Sequence, residues 1–122
     1  MEYRALTVSI ENKIAQVTLN RPDALNTMNL DFWKELPTAI REIDADAHAR
    51  VIILASTGRH FSAGMDLGVF MNPKNISLQG DPGRSAENLR RLVLQLQDTF
   101  SVLESVRIPV LAAIQGGCIG GG

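Results

Sequence analysis

Apolar and polar positions alternate from the start of the chain. Leu6, Val8 and Ile10 are separated by polar residues, and Ile14, Val17 and Leu19 follow a short polar gap at Glu11, Asn12 and Lys13. A period of two on both sides of a polar gap predicts a β-hairpin. Residues 20–23 end it, because Pro22 has no N–H to extend a ladder. The period then changes. Over residues 30–43, Trp33, Leu36, Ile40 and Ile43 share one helical face. Asn29 is placed to cap this helix, and Asp31 lies in its first turn, where negative charge suits the dipole. The apolar spacing continues past Pro37, which predicts a kink rather than a stop. Residues 44–50 are a polar exit. The unbroken run Val51, Ile52, Ile53, Leu54, Ala55 predicts a strand of a parallel sheet, buried on both faces. Residues 72–84, with Pro73, Gly80, Asp81, Pro82 and Gly83, read as a long loop. Ser85 is placed to cap a second helix, with Glu87 in its first turn. Leu89, Leu92, Val93, Leu96, Phe100 and Leu103 keep helical spacing along it. Arg107 suits its C-terminal dipole and Pro109 stops it. A last strand, residues 110–114, runs into glycines.

Composition narrows the function. A chain of 122 residues with 45% hydrophobic and 20% charged residues has the make-up of one small globular domain or part of one. A net charge of −1 and no basic block point away from nucleic acid and anionic membranes. No apolar run has transmembrane length. The single cysteine, Cys118, excludes an internal disulfide and fits a reducing compartment. The N-terminus carries no signal peptide pattern, so the expected location is the cytoplasm, unless a targeting segment has been removed.

Five of the ten glycines fall at Gly116, Gly117, Gly120, Gly121 and Gly122, directly after the last apolar run. A similar design, an apolar strand followed by a turn with small residues and glycine, occupies residues 51–67. Glycine lets a backbone take φ > 0 and bring its N–H groups close to a bound group. Strands that are neighbours in one open sheet deliver such turns to the same edge, where ligands of α/β sheets bind. Spacing alone leaves two readings open: two ordinary strand-to-helix turns, or two N–H groups aimed at one oxygen as an oxyanion hole.

Three segments together resemble a known family. They are Leu19-Asn20-Arg21-Pro22 with Ala24-Leu25-Asn26, then His60-Phe61-Ser62-Ala63-Gly64-Met65-Asp66-Leu67, then Ala112-Ala113-Ile114-Gln115-Gly116-Gly117-Cys118-Ile119-Gly120-Gly121-Gly122. Their order and intervals are similar to those of the crotonase (enoyl-CoA hydratase/isomerase) superfamily. Phe32-Trp33-Lys34-Glu35-Leu36, the loop before Ser85 and residues 114–122 most resemble its dienoyl-CoA isomerases. The resemblance implies an α/β fold, a spiral of ββα units, with residues 1–122 forming the N-terminal part of an acyl-CoA-binding domain. It implies an acyl-CoA thioester as substrate, no cofactor other than the coenzyme A of the substrate itself, no metal, and assembly as homotrimers or hexamers. A mitochondrial or peroxisomal location would follow for a eukaryotic protein with a removed targeting segment. The N–H groups of Met65 and Gly121 would form the oxyanion hole. Ala24, Leu25, Ala63, Gly64, Met65, Asp66, Leu67 and Gly121 would line the substrate path, and residues 70–84 would border the acyl chain. Family carboxylates follow the glycine run, so the resemblance gives this chain the electrophilic half of a site and not the proton-transfer half.

Plainer roles compete for several residues. Asp66 is expected to order its own turn. His60 reads as a variable surface position and His48 as solvated. Cys118 has no neighbouring base and reads as a small packing residue, while Met71 reads as a space-filler or acyl contact. The glycines are not a phosphate-binding Walker loop, since no Gly-Lys-Ser/Thr follows. The leading expectation is dienoyl-CoA isomerisation. Enoyl-CoA hydration, an acyl-CoA-binding module without turnover, and a nucleotide-binding domain remain as alternatives. The strand at 110–114 is expected to lack cover, which makes the chain marginally stable alone.

Overall fold

A computed structural model describes residues 2–71 and 80–122. Strands β1 (Leu6–Glu11) and β2 (Ile14–Leu19) form the expected hairpin. Asn12 and Lys13 both have positive φ, 51° and 65°, which is the turn geometry that matches the twist of paired strands. A short 3₁₀ turn at Pro22–Ala24 follows, then α1 (Leu30–Asp46), β3 (Val51–Ser56), a five-residue α2 (Leu67–Met71), α3 (Pro82–Ser105) and β4 (Val110–Ala112). The sheet runs β1-β2-β3-β4, antiparallel in its first pair and parallel in the other two. The α/β architecture is therefore the expected one, and the turns after β3 and β4 leave the sheet at the same edge.

The core lies between one sheet face and α1. Leu6, Ala15, Val17, Leu19, Ile52 and Leu54 pack with Phe32, Trp33, Leu36, Ile40 and Ile43. The second face carries Ser9, Glu11, Ile14 and Gln16, all exposed, and Val51 and Ile53 are half-buried. Burial of β3 thus alternates, where its unbroken apolar run predicts burial on both sides. Core helix residues gather on one face only. At the edge, Leu111 of β4 is exposed, as a strand without cover requires, and so is Ile114, which lies beyond the strand because β4 ends at Ala112, short of the predicted residue 114.

Asn29 caps α1 as expected, its Oδ1 accepting from Phe32 N at 3.0 Å. The helix continues to Asp46 and ends on Ala47 with φ 55°, so the polar exit begins later than predicted. Residues 44–46 contain no glycine or proline, and nothing in them stops a helix. Pro37 sits inside α1 and is buried. It cannot donate to the carbonyl four residues back, that of Trp33. The hydroxyl of Thr99, on α3, is shared between Trp33 O at 3.4 Å and Gln95 O at 3.2 Å. Thr99 is 1% exposed, so an unpaired carbonyl there would have no water to turn to. Thr99→Val is expected to destabilise the fold by about 1–3 kcal/mol, and Thr99→Ser by much less. Urea unfolding of the two variants checks this.

The second predicted helix, α3, corrects three readings. It is capped by Asp81, which accepts from Arg84 N at 2.9 Å, and Pro82 takes the first helical position. Ser85 is therefore inside the helix, and the loop ends before Pro82. Arg107 lies beyond Ser105 and donates to Asp44 O, at 2.7 Å, so it serves the C-terminal end of α1 instead. On α3 only Thr99 and Val102 are buried, while Leu89, Val93 and Phe100 remain exposed. Residues 72–79 of the expected loop lie outside the described residues.

Candidate functional site

The turn after β3 is held along both edges. On one edge, Met28 forms a parallel bridge with Met65: Met28 N donates to Gly64 O at 2.8 Å, and Asp66 N donates to Met28 O at 3.1 Å. Ala63 N also reaches Leu25 O at 3.0 Å. On the other edge, Ser62 bridges Cys118 of the glycine loop. Ser62 N donates to Gly117 O at 3.3 Å and Ile119 N to Ser62 O at 3.0 Å. Extended backbone turns successive N–H groups to opposite sides. Asp66 N is committed to Met28, while Met65 N makes no bond to that edge.

Gly64 lets the two turns approach. Its φ is +92°, and a Cβ there would lie 2.7 Å from Ile119 O and 3.3 Å from Gly121 N. Gly121 in turn touches Met28, whose Sδ would be 2.9 Å from a Cβ at that position. Among the described residues, neither Met65 N nor Gly121 N donates a hydrogen bond. Both residues line one cavity of about 230 Å³, together with Trp33, Val93, Leu96, Gln97 and Phe100. Trp33 is fixed there by a bond from its Nε1 to Met28 O at 3.1 Å and by edge-on contacts with Phe32 and Phe100. Part of the apolar stripe of α3, Val93, Leu96 and Phe100, is thus a wall of this cavity. The arrangement offers two N–H donors beside apolar walls, and none of the described lining residues is ionisable.

The remaining expected residues lie around this centre. Ala24 and Leu25 adjoin Ala63 through the Leu25 carbonyl but do not line the Met65–Gly121 cavity. Leu67 is 71% exposed at the start of α2. Asp66 orders the turn: its carboxylate accepts from Gly68 N at 2.9 Å and Thr27 Oγ1 at 3.2 Å, and pairs with Arg21 at 3.5 Å. It lines a separate cavity of about 350 Å³ with Asn29, Leu30, Asp31, Gly68 and Val69. His48 is exposed, as expected, and so is Met71. Cys118 is exposed, not packed. Its bridge to Ser62 uses backbone alone, and its thiol donates to Gly122 O at 2.9 Å. His60 is half-buried and bonded rather than a free surface residue, since its Nδ1 accepts from Gly117 N at 2.8 Å.

Asn26 belongs to the site's frame and carries no expected role in the sequence. It is 3% exposed with φ 52°. Its Oδ1 accepts from Arg21 N at 2.8 Å, and its Nδ2 donates to Thr57 O at 2.6 Å and His60 O at 3.1 Å. One side chain therefore joins the segment after β2 to the turn after β3. The available signal was an asparagine, a residue that tolerates left-handed backbone, directly after a proline-led turn.

Comparison with known proteins agrees with this architecture. The family model described as Enoyl-CoA hydratase/isomerase matches residues 9–122. The peroxisomal Delta(3,5)-Delta(2,4)-dienoyl-CoA isomerase of Arabidopsis thaliana is 39% identical, over 98% of this chain and 45% of that protein. A protein of Mycobacterium tuberculosis named probable enoyl-CoA hydratase is 37% identical, over 90% of this chain and 37% of that protein. A crystal structure of an enoyl-CoA hydratase/carnithine racemase from Magnetospirillum magneticum superposes with a TM-score of 0.80 at 31% identity, over 98% of this chain and 42% of that one. The chain thus spans less than half the length of these relatives.

Proposed function

The chain belongs to the enoyl-CoA hydratase/isomerase family, and from that premise we propose that it binds an acyl-CoA thioester through the N–H groups of Met65 and Gly121. What supports the reading is that Met65 and Gly121, from turns after adjacent strands, line one apolar-walled cavity, and that neither backbone nitrogen donates a bond elsewhere among the described residues. A thioester carbonyl oxygen there accepts both N–H groups. Its carbon becomes more electron-poor and the neighbouring C–H more acidic. When a base, which the described lining of this cavity does not include, takes that proton, the electron pair of the C–H bond moves onto the oxygen as an enolate, and the two donors stabilise the charge. Each such donor is worth roughly 3–4 kcal/mol in the transition state. Apolar walls strengthen both bonds by excluding water.

For a dienoyl substrate, loss of a proton at one end of the conjugated system and its return at the other moves the double bonds. Isomerisation is the preferred reaction because of the 39% identity to the Arabidopsis isomerase. Hydration is the alternative within the family, supported by the Mycobacterium relative. A binding module without turnover is favoured by one feature: the cavity's described lining residues include no acid or base. In all three readings Ala24, Leu25, Ala63, Gly64, Asp66 and Leu67 flank the path of the coenzyme A arm. Exposed Leu67, Met71, Leu111 and Ile119 suit burial between copies in a homotrimer or hexamer. The location in this reading is the cytoplasm or, with a removed targeting segment, the mitochondrion or the peroxisome, the last as named for the Arabidopsis relative.

The single tryptophan, Trp33, is in the cavity wall and reports on occupancy. Titration with hexanoyl-CoA, which has the carbonyl but no reactive double bond, is expected to change its fluorescence, with free coenzyme A giving a much weaker response. Equal responses would count against carbonyl recognition. Turnover of a dienoyl-CoA then separates an enzyme from a binding module.

A further inference from the structure

We propose that His60 is a positioning residue for the Gly121 donor, acting through Gly117; the inference rests on the thioester reading above. The glycine loop has little of its own to hold it. Gly116 and Gly120 are in left-handed backbone, φ 60° and 58°, and Gly116, Cys118, Ile119, Gly120 and Gly121 are all exposed. Backbone bonds from Phe61, Ser62 and Ile119 pair it with the turn after β3, and the Ser62 N to Gly117 O bond is long at 3.3 Å. The side chain of Gln115 grips Ser56 and Gly58 at the loop's base, before the glycines. Among the described residues, His60 is the one side chain that accepts a hydrogen bond from the backbone of residues 116–121.

Its geometry suits that task. The His60 carbonyl is held by Asn26 Nδ2 at 3.1 Å and Ser56 Oγ at 3.3 Å, so the ring projects from a fixed base. Nδ1 accepts from Gly117 N, which puts the proton of the neutral ring on Nε2. The loop lies directly against the ring: a Cβ would come within 2.8 Å of Nδ1 from Gly116 and 3.1 Å from Gly117. Gly117 is then held on both sides, its N–H by His60 and its C=O by Ser62 N, and this double hold sets the register in which Gly121 meets Met65. The effect falls on carbonyl recognition rather than on the coenzyme A arm.

The experiment compares His60→Asn with His60→Leu in the 122-residue chain. Asparagine puts an acceptor oxygen where Nδ1 stands; leucine keeps bulk without an acceptor. Two quantities are measured: the amide proton shifts of Met65 and Gly121 on adding hexanoyl-CoA, and the ratio of affinities for hexanoyl-CoA and free coenzyme A. Asparagine is expected to keep both. Leucine is expected to lower the ratio about tenfold and to leave coenzyme A affinity unchanged. If leucine abolishes folding by circular dichroism, His60→Gln replaces it, since its acceptor lies one bond further out. Equal ratios for parent, Asn and the acceptor-shifted or acceptor-free variant overturn the role of His60, as does an Asn variant as impaired as Leu. A parent chain whose Met65 and Gly121 amides ignore hexanoyl-CoA overturns the thioester reading and this inference with it, an outcome visible before any variant is made.

Discussion

Gly64→Ala is expected to abolish the preference for hexanoyl-CoA over free coenzyme A, a loss on the order of 100-fold or more. Two effects act together. Gly64 has φ +92°, a conformation in which an L side chain costs about 1–2 kcal/mol. The new methyl would also lie 2.7 Å from Ile119 O and 3.3 Å from Gly121 N. It cannot be accommodated by rotating a side chain, because both neighbours are backbone. The glycine loop must move away from Met65, and the two donors no longer meet at one point. Gly68→Ala is the control. Gly68 lies in α2, and a Cβ there would meet only Asp66 Oδ1 at 3.1 Å. That variant is expected to bind as the parent does. Parallel titrations of the two variants, with thermal melts to show that both are folded, make the comparison.

Asn26→Asp is expected to be the most destabilising single-atom exchange in the site's frame, by about 3–5 kcal/mol at neutral pH. The replacement turns a donor that faces Thr57 O at 2.6 Å and His60 O at 3.1 Å into an acceptor. Two bonds become two repulsions, at a residue only 3% exposed. Domains of this size have a margin of about 5–15 kcal/mol, so much of it would be lost. Protonation restores one donor, which raises the folded-state pKa of the introduced acid above its unfolded value near 4. A raised folded pKa means stability present below the unfolded value and lost as pH rises. The deficit relative to the parent at the same pH should therefore shrink on acidification toward the carboxylate range. Urea midpoints of parent and variant across pH measure it.

What the chain discloses in one dimension is what repeats. The hairpin, the Asn29 cap, the face of Trp33, Leu36, Ile40 and Ile43, and the pair of glycine turns all leave a periodic or local trace. The helical spacing of α3 was equally visible, but spacing cannot say what faces it. Part of that stripe, Val93, Leu96 and Phe100, lines the cavity instead of closing a core. Asp81-Pro82 looked like loop because the same two residues serve turns and helix starts, and the distinction depends on Arg84 N meeting the aspartate. The five-residue α2 is too short to show a period. Least legible were single hydrogen bonds between distant segments. Thr99 to Trp33 O crosses 66 positions, His60 to Gly117 crosses 57, and Asn26 to His60 crosses 34. A side-chain acceptor aimed at a particular backbone N–H has no signature until the chain is folded.

A crystal structure of the chain with hexanoyl-CoA tests the shared grip of Met65 and Gly121 most directly. The expected result is a thioester oxygen about 3 Å from both backbone nitrogens, with the acyl chain against Trp33 and Phe100. A bound thioester whose oxygen reaches neither nitrogen, or two nitrogens that face different spaces and accept no common atom, would contradict it.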